Sequence, residues 1–430
     1  MQALLDLLGR ELHDAQLEFV TPIGARWTLG RGLPCARVNL AQAATLRRIL
    51  LHPRYELPAT YTRGEWAPAD GDLLKVLEVA TRIQLQWDAT GRGLWGRGLA
   101  WLGELNSALR ARRNVHAHYD RDADFYGSFL DADWHYSCGY FERAEQTLEA
   151  AQQAKCELIA RKLNLRPGAR VLDIGCGFGS LAMYLAERHQ ARVTGVTLSE
   201  AQLALGRERL ASRDLHGRVE LRLQDYRHTQ GQFDAVVSVG MFEHVGRPQY
   251  AEFFRMVRQR LVPGGTSLIH TIGRSGPPGV TNPWIRRHIF PGGYIPAASE
   301  VLGTIEHASL VLTDLEIWRQ HYAHTLAAWH QRFESTRDRW RDRYGEEFCR
   351  MWTFYLLASQ ASFQSGDLVV FQLQLARRPA TVPLTRDYLY RSRAAANFWD
   401  RRQQRSRKLR AVRTRAAAPP KDRPEQDSEN

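Results

Sequence analysis

The 430-residue chain contains only five cysteines, at positions 35, 138, 156, 176 and 349, and no two of them stand as C-x-x-C. That spacing argues against a zinc site or a dithiol redox centre, and no metal is expected. Scattered single cysteines fit a reducing compartment rather than a disulfide scaffold. No apolar run approaches the ~20 residues needed to span a bilayer. The opening Met1-Gln2-Ala3-Leu4-Leu5-Asp6 lacks both the basic start and the long apolar stretch of a secretory signal, so the expected location is the cytoplasm. Acidic residues are the scarcer charge, 46 Asp+Glu against 59 Lys+Arg, for a net of +13. Residues 377–430 alone hold 15 basic and 6 acidic residues, a net of +9, which leaves only +4 for residues 1–376. The basic character therefore belongs to a C-terminal extension and not to the body. With 44% hydrophobic and 24% charged residues the composition excludes a mostly disordered chain, and the length allows two or three domains.

Regular elements begin near residue 165. Val171-Leu172-Asp173-Ile174 reads as a short buried strand, Gly175-Cys176-Gly177-Phe178-Gly179 as a turn, and 180–188 as a helix. Strands at 192–196, 219–223, 233–239 and 266–272 alternate with helices at 199–210 and 248–261, the last stopped by Pro263-Gly264-Gly265. That alternation predicts a parallel, doubly wound sheet. Strands at 309–315 and 368–375 are candidates to complete it, with helices at 319–340 and 346–364 between them. Before this lies a mixed region with an amphipathic helix at 72–79 and a glycine-rich loop at 91–98. The expected division is a smaller accessory domain at 1–105, a catalytic domain at 106–376, and a disordered basic tail at 377–430 in which 389–409 has the pattern of a basic helix.

Several segments carry chemistry. The turn Asp173-x-Gly175-x-Gly177-x-Gly179 stands between a strand and a helix, where bare backbone and helix amides receive a ligand. Its spacing is not the G-x-G-x-x-G of a dinucleotide site; it resembles the first motif of class I S-adenosylmethionine methyltransferases. The second strand ends in Thr197 where an acid for ribose hydroxyls is usual, with Gln202 near, and the third is followed by Asp225-Tyr226, a carboxylate and a ring for adenine. The fourth ends in Ser238-Val239-Gly240-Met241-Phe242-Glu243-His244, which makes Glu243 and His244 catalytic candidates, and His270 near the end of the fifth faces the same crevice. The apolar, Gly/Pro-rich stretch 273–296 is placed to line a pocket beyond that strand.

Several segments, in order, resemble cyclopropane-fatty-acyl-phospholipid synthases and mycolic acid cyclopropane synthases: His118-Tyr119-Asp120, Tyr136-Ser137-Cys138-Gly139-Tyr140, the glycine turn, Gly195-Val196-Thr197-Leu198-Ser199, Ser238 to Gly246, His270-Thr271-Ile272-Gly273, Pro283-Trp284-Ile285, and Tyr322 ahead of Thr325-Leu326. The resemblance is strong over 115–376 and weak over the first hundred residues. It implies a seven-stranded, mostly parallel, Rossmann-like α/β sheet of class I methyltransferase type. It implies S-adenosylmethionine as cofactor and the cis double bond of a phospholipid acyl chain as acceptor. The alkene attacks the sulfonium methyl, and loss of a proton from the new methyl closes a cyclopropane ring. The proposed proton acceptor is a bound bicarbonate ion, and the family's holders map onto Cys138 and Ile272 (through their backbones), Glu243, His270 and Tyr322. By the same mapping Tyr136, Ser137, Asp173, Gly175, Gly177, Gly179, Thr197, Leu198, Ser199, Gln202, Asp225 and Tyr226 surround the cofactor. The resemblance also implies a homodimer, peripheral to the inner face of a membrane.

This chain departs from the family at Asp122-Ala123, where Gly-Asn is usual, at Ser359, where a cysteine is common, and at Pro58-Ala59-Thr60-Tyr61-Thr62. A methyl-branched or methylene product from the same site is the near alternative, and a non-catalytic lipid-binding protein a further one. A nucleic-acid methyltransferase is disfavoured: the apolar stretch at 284–296 suits an acyl chain better than a base, and no Asn/Asp-Pro-Pro-Tyr motif is present. The tail predicts attraction to anionic headgroups, at ~1 kcal/mol per basic residue near the surface. Truncation of the tail after Ala376 is expected to weaken co-sedimentation with anionic vesicles and to flatten its salt dependence. Unchanged low-salt binding would remove that role.

Overall fold

A computed structural model describes residues 1–89, 123–215 and 217–390. His118-Tyr119-Asp120, the glycine-rich stretch 91–98 and most of the tail lie outside the described residues. Residues Met1–Val382 form one compact unit. Its first part is a four-stranded sheet in the order β2-β1-β3-β4, from β1 (Ala15–Val20), β2 (Arg26–Arg31), β3 (Cys35–Leu40) and β4 (Trp66–Pro68). Along β1 burial alternates, so Ala15, Leu17 and Phe19 point to one covered face. The helix Leu73–Ala89 covers it with Leu73, Val76, Leu77 and Ile83, spaced as one helical face. This helix and Pro53–Thr62 both pack on the long helix Glu346–Gln364. Tyr61 supports that contact, its ring 5.6 Å from that of Phe354 and its carbonyl accepting from Arg350 at 3.3 Å.

The second sheet has seven strands: β5 (Arg170–Ile174), β6 (Arg192–Thr197), β7 (Val219–Leu223), β8 (Phe233–Val239), β9 (Leu261–Arg274), β10 (Val311–Trp318) and β11 (Leu368–Ala376). Their order is β10-β11-β9-β8-β5-β6-β7, with β11 antiparallel between β9 and β10. The central strands are apolar on both faces, as helices on either side require. Leu172 and Val236 feed one core, while Val171, Ala235 and Val237 feed the other. Strand order reverses beside β5, so the ends of β5 and β8 flank a crevice where ligands bind in such sheets. The expected α/β class, the mostly parallel sheet and all seven strands are present.

Several boundaries differ from expectation. β9 starts at Leu261, because the helix before it ends at Arg260 and Pro263-Gly264-Gly265 runs on as irregular strand. The stretch 319–340 is two helices, His321–Ser335 and Arg337–Tyr344, with a break at Thr336, whose hydroxyl accepts from the Trp340 indole at 3.1 Å. The loop 273–296 contains a helix, Pro283–His288, which Asn282 caps by accepting from the Trp284 and Ile285 amides. The expected tail begins in ordered chain: Arg377 donates to the Leu261 carbonyl at 2.9 Å, and a 3-10 turn follows at Pro379–Thr381. The described part of the second unit, residues 383–390, carries one helical turn, Asp387–Tyr390.

Candidate active site

The glycine turn after β5 bends through three positive φ angles, +77° at Gly175, +54° at Gly177 and +75° at Gly179. What a side chain would meet differs at each. A Cβ on Gly175 would stand 2.6 Å from Met241, and one on Gly179 2.9 Å from Leu221. A Cβ on Gly177 would have only Gln202 Nε2 within reach, at 3.9 Å. Gly177 is thus the residue whose bare backbone faces open space, and Gly179 is a packing glycine that caps the following helix.

That space is a cavity of about 150 Å³ at the carboxyl ends of β5, β6 and β8. Ten of the twelve cofactor candidates line it: Tyr136, Ser137, Asp173, Gly175, Gly177, Thr197, Leu198, Gln202, Asp225 and Tyr226. Gly179 and Ser199 do not. Ser199 is a helix cap, its hydroxyl accepting from the Gln202 amide at 3.2 Å, and it orients Gln202 rather than facing the cavity. Asp173 is 2% exposed, and its Oδ2 is buried without a partner. Burial raises its pKa to about 7. An orphaned carboxylate oxygen beside bare backbone suits a cationic ligand group. Asp225 is already engaged: Arg227 clasps it from Nε at 2.9 Å and Nη2 at 2.6 Å. Burial works to raise the Asp225 pKa, but these bonds outweigh it and hold the carboxylate ionised. The wall also includes Lys155, fully buried, donating to Ser137 Oγ at 2.8 Å and to Gln152 at 2.5 Å. Sequence reasoning missed Lys155 because it lies within a helix, Leu148–Lys162, whose pattern gives no sign that this position faces a ligand.

A second cavity, about 580 Å³, lies against the first, and Tyr136, Gly240 and His244 line both. Its wall is mostly apolar. It runs from Phe290, Tyr322, Leu326 and Phe363 in the catalytic part to Leu17, Phe19, Ile49, Leu57 and Leu77 in the N-terminal part. No periodicity announced that the first eighty residues would wall a pocket with the last hundred. Ser359, where the family commonly has cysteine, lines it too.

Of the five catalytic candidates, Glu243, Ile272 and Tyr322 line this second cavity, whereas Cys138 and His270 line neither. Both are buried behind it. Trp318 ties their segments together, its ring 4.9 Å from Tyr140 and 5.1 Å from His270. Trp329 does the same for Tyr136 and Tyr322, at 5.2 and 5.9 Å. The Ile272 N–H, expected to hold an ion, instead donates to Glu243 Oε1 at 2.7 Å. Glu243 Oε2 is buried with no partner. Burial raises the Glu243 pKa to about 7, opposed first by the Ile272 N–H and then by the Glu243 backbone N–H and the Thr271 side chain. His244 is held neutral by burial, its pKa pushed down to about 4. No cluster of metal-ligating side chains occurs among the described residues.

The Glu243 shift fixes a sign. Its native pKa of about 7 lies above the unfolded value of 4.5, so the native state holds the proton more tightly. Stability from this group is full below pH 4.5 and is lost as pH rises toward 7, by about 3 kcal/mol at 1.36 kcal/mol per pH unit. Glu243→Gln keeps the acceptor for Ile272 and removes the titration. Urea unfolding at a series of pH values should show the variant gaining on wild type by that order between pH 4.5 and 7.5. Parallel stability curves would mean that Glu243 is solvated.

Residues 106–373 match the family model for mycolic acid cyclopropane synthetase. The cyclopropane-fatty-acyl-phospholipid synthase of Escherichia coli (strain K12) is 38% identical over 346 residues, which cover 80% of this chain and 88% of that protein. The tuberculostearic acid methyltransferase of Mycobacterium tuberculosis is 36% identical over 357 residues, or 78% of this chain and 81% of its own. Among solved structures, a mycolic acid cyclopropane synthase in complex with SAH and CTAB matches with TM-score 0.58 and 32% identity, over 61% of this chain and 97% of that one. The glycine turn, the seven-strand order and a match spanning most of the chain agree: this protein belongs to the mycolic acid cyclopropane synthetase family.

Proposed function

We propose that the protein is an S-adenosylmethionine-dependent cyclopropane fatty acid synthase acting on unsaturated phospholipid acyl chains. The observation that carries this reading is the junction of the two cavities. A glycine-walled cavity lined by Asp173, Asp225, Thr197 and Gln202 meets a larger, mostly apolar one at Tyr136, Gly240 and His244, and Glu243, an acid with an orphaned oxygen next to His244 in the chain, lines the larger one. S-adenosylmethionine would supply an electrophilic methyl group. Gly177 would let it approach the backbone, Asp173 would face its positive charge, Asp225 and Tyr226 would flank its base, and Thr197 and Gln202 would offer hydrogen bonds to its sugar.

The chain's contribution on the acyl side is position and dryness. Phe290, Tyr322 and Tyr355 wall the space next to the junction and exclude water that would quench a cationic centre. Glu243 sits where positive charge would develop. The orphaned Oε2 also fits a bicarbonate ion: with a pKa of about 7, Glu243 can carry the proton that two neighbouring anions need between them. Tyr322 shares that cavity wall. His270 and Cys138, buried just behind, would support the ion from a second layer. The ion would supply a small base where no side chain has obvious reach to a methyl proton.

The likeness to a tuberculostearic acid methyltransferase favours one second reading, a methyl-branched product from the same junction. Among the described residues no helix is long and apolar enough to cross a membrane. Access to bilayer lipid would then be peripheral, from the inner face, with the basic tail as one contact and a homodimer as the assembly.

Incubation with methyl-labelled S-adenosylmethionine and vesicles of cis-monounsaturated phospholipid tests the reading by mass spectrometry of the acyl chains. One added CH2 with the double bond consumed is expected. An added carbon with unsaturation kept, or a saturated branched chain, would replace this product assignment with the second reading. Gly177→Val should lose cofactor binding by calorimetry while its circular dichroism stays native. Retained affinity would place the cofactor elsewhere.

A further inference from the structure

Three strands carry a polar row through an otherwise apolar region. Glu316 on β10 stands directly opposite Gln372 on β11, and Gln372 directly opposite His270 on β9. Paired positions in adjacent strands project to the same face, so the three side chains form one line. Lys162, the last residue of the helix Leu148–Lys162, lies over that line with its side chain fully buried. Its ammonium donates to Glu316 and, at 2.7 Å, to Gln372 Oε1. Gln372 Nε2 lies 3.1 Å from His270 Nδ1.

The chemistry of these contacts leaves one arrangement. An ammonium has donors and no acceptor, so the Gln372 atom facing Lys162 is the carbonyl oxygen. The amide NH2 then faces His270, and Nδ1 accepts. A neutral imidazole that accepts at Nδ1 carries its proton on Nε2. Burial, together with the charges of Lys155 and Lys162, keeps the ring neutral. Glu316 completes the row as the ion-pair partner of the buried Lys162.

We infer that Gln372, oriented by Lys162, is a positioning residue that fixes His270 as the Nε2–H tautomer, so that the ring serves the site as a hydrogen-bond donor and not as a base. This rests on the reading above that His270 supports the reacting centre. It goes beyond that reading by assigning the proton and the residues that set it. His270 is two residues before Ile272, which lines the acyl cavity, and alternation along β9 turns both side chains to the same side of the sheet. A donor there stabilises an anion; a base there would compete with it.

The test uses the full chain labelled with nitrogen-15 histidine. The His270 signal, identified by its loss in His270→Gln, should show a neutral Nε2–H ring between about pH 6 and 8, as expected for a group held far below its ordinary value of ~6.5. Gln372→Glu is nearly isosteric and keeps an acceptor for Lys162, but it presents an acceptor to His270 as well. With burial and the charges of Lys155 and Lys162 still opposing a charged ring, it should move the proton to Nδ1 and leave Nε2 an acceptor. The bicarbonate concentration for half-maximal rate should rise by about ten-fold or more, the scale of one lost charge-assisted hydrogen bond, while KM for S-adenosylmethionine stays within about two-fold. Gln372→Leu should leave a mixture of tautomers. A wild-type Nδ1–H signal, or an unchanged Nε2–H signal in Gln372→Glu, would overturn the inference, and the wild-type spectrum decides this even if a variant fails to fold. A wild-type rate indifferent to bicarbonate, with the tautomer as expected, would remove the anion and leave the positioning role standing.

Discussion

Desolvation at the carboxyl ends of β5, β8 and β9 is the constraint on which the rest of the site depends. Asp173, Glu243 and His270 are withdrawn from solvent there, His244 is exposed only in part, toward the two cavities, and burial is the first cause of every shift in their acidities. The two acids are pushed toward neutrality and the two histidines lose their charge. A surface with these residue types would be a set of ordinary ions. Buried, they become groups whose charge is set by what binds beside them, which is the condition for stabilising a short-lived cation next to hydrocarbon.

That dryness is built from two directions. The seven-stranded sheet supplies the floor that carries Asp173 and His270, and the helix Glu346–Gln364 supplies a ridge on which the helices Pro53–Thr62 and Leu73–Ala89 pack. Tyr355, Ala358 and Ser362 on this helix face the cavity, and Leu17, Phe19 and Leu77 close the cavity from the N-terminal side. The departure from the family at 58–62 falls on the helix Pro53–Thr62, where Pro58 lines the same cavity while Ala59 and Thr60 are buried. The drift there touches the acyl side of the protein and not the cofactor side.

Much of the cofactor side was legible in the chain because its signals are local. A strand, a glycine turn and a helix follow one another within about twenty residues, and β6, β7 and β8 each end in or just before a residue of the same cavity. The exceptions are instructive. Gly179 and Ser199 belong to the motif but serve packing and capping, so a motif names a neighbourhood and geometry assigns the contacts. Asp225 reads as a free carboxylate, yet Arg227 two residues on already holds it. The acyl side was less legible, because residues 17, 77, 290 and 355 meet only through tertiary packing. Lys155, Lys162 and Gln372 were invisible for a related reason: a buried polar side chain inside a helix or an apolar strand carries no mark of its partner.

On the proposed function, the apolar cavity receives the reacting acyl chain at its junction with the glycine-walled cavity. Photo-crosslinking tests it most directly, with a phospholipid whose acyl chain bears a photoreactive group at the double-bond position and with peptide mapping of the adducts. Adducts are expected on the segments carrying Tyr136, Glu243 or Tyr322, competed away by unmodified unsaturated phospholipid. Adducts confined to exposed residues such as Leu4, Leu7 and Ile23 would contradict it.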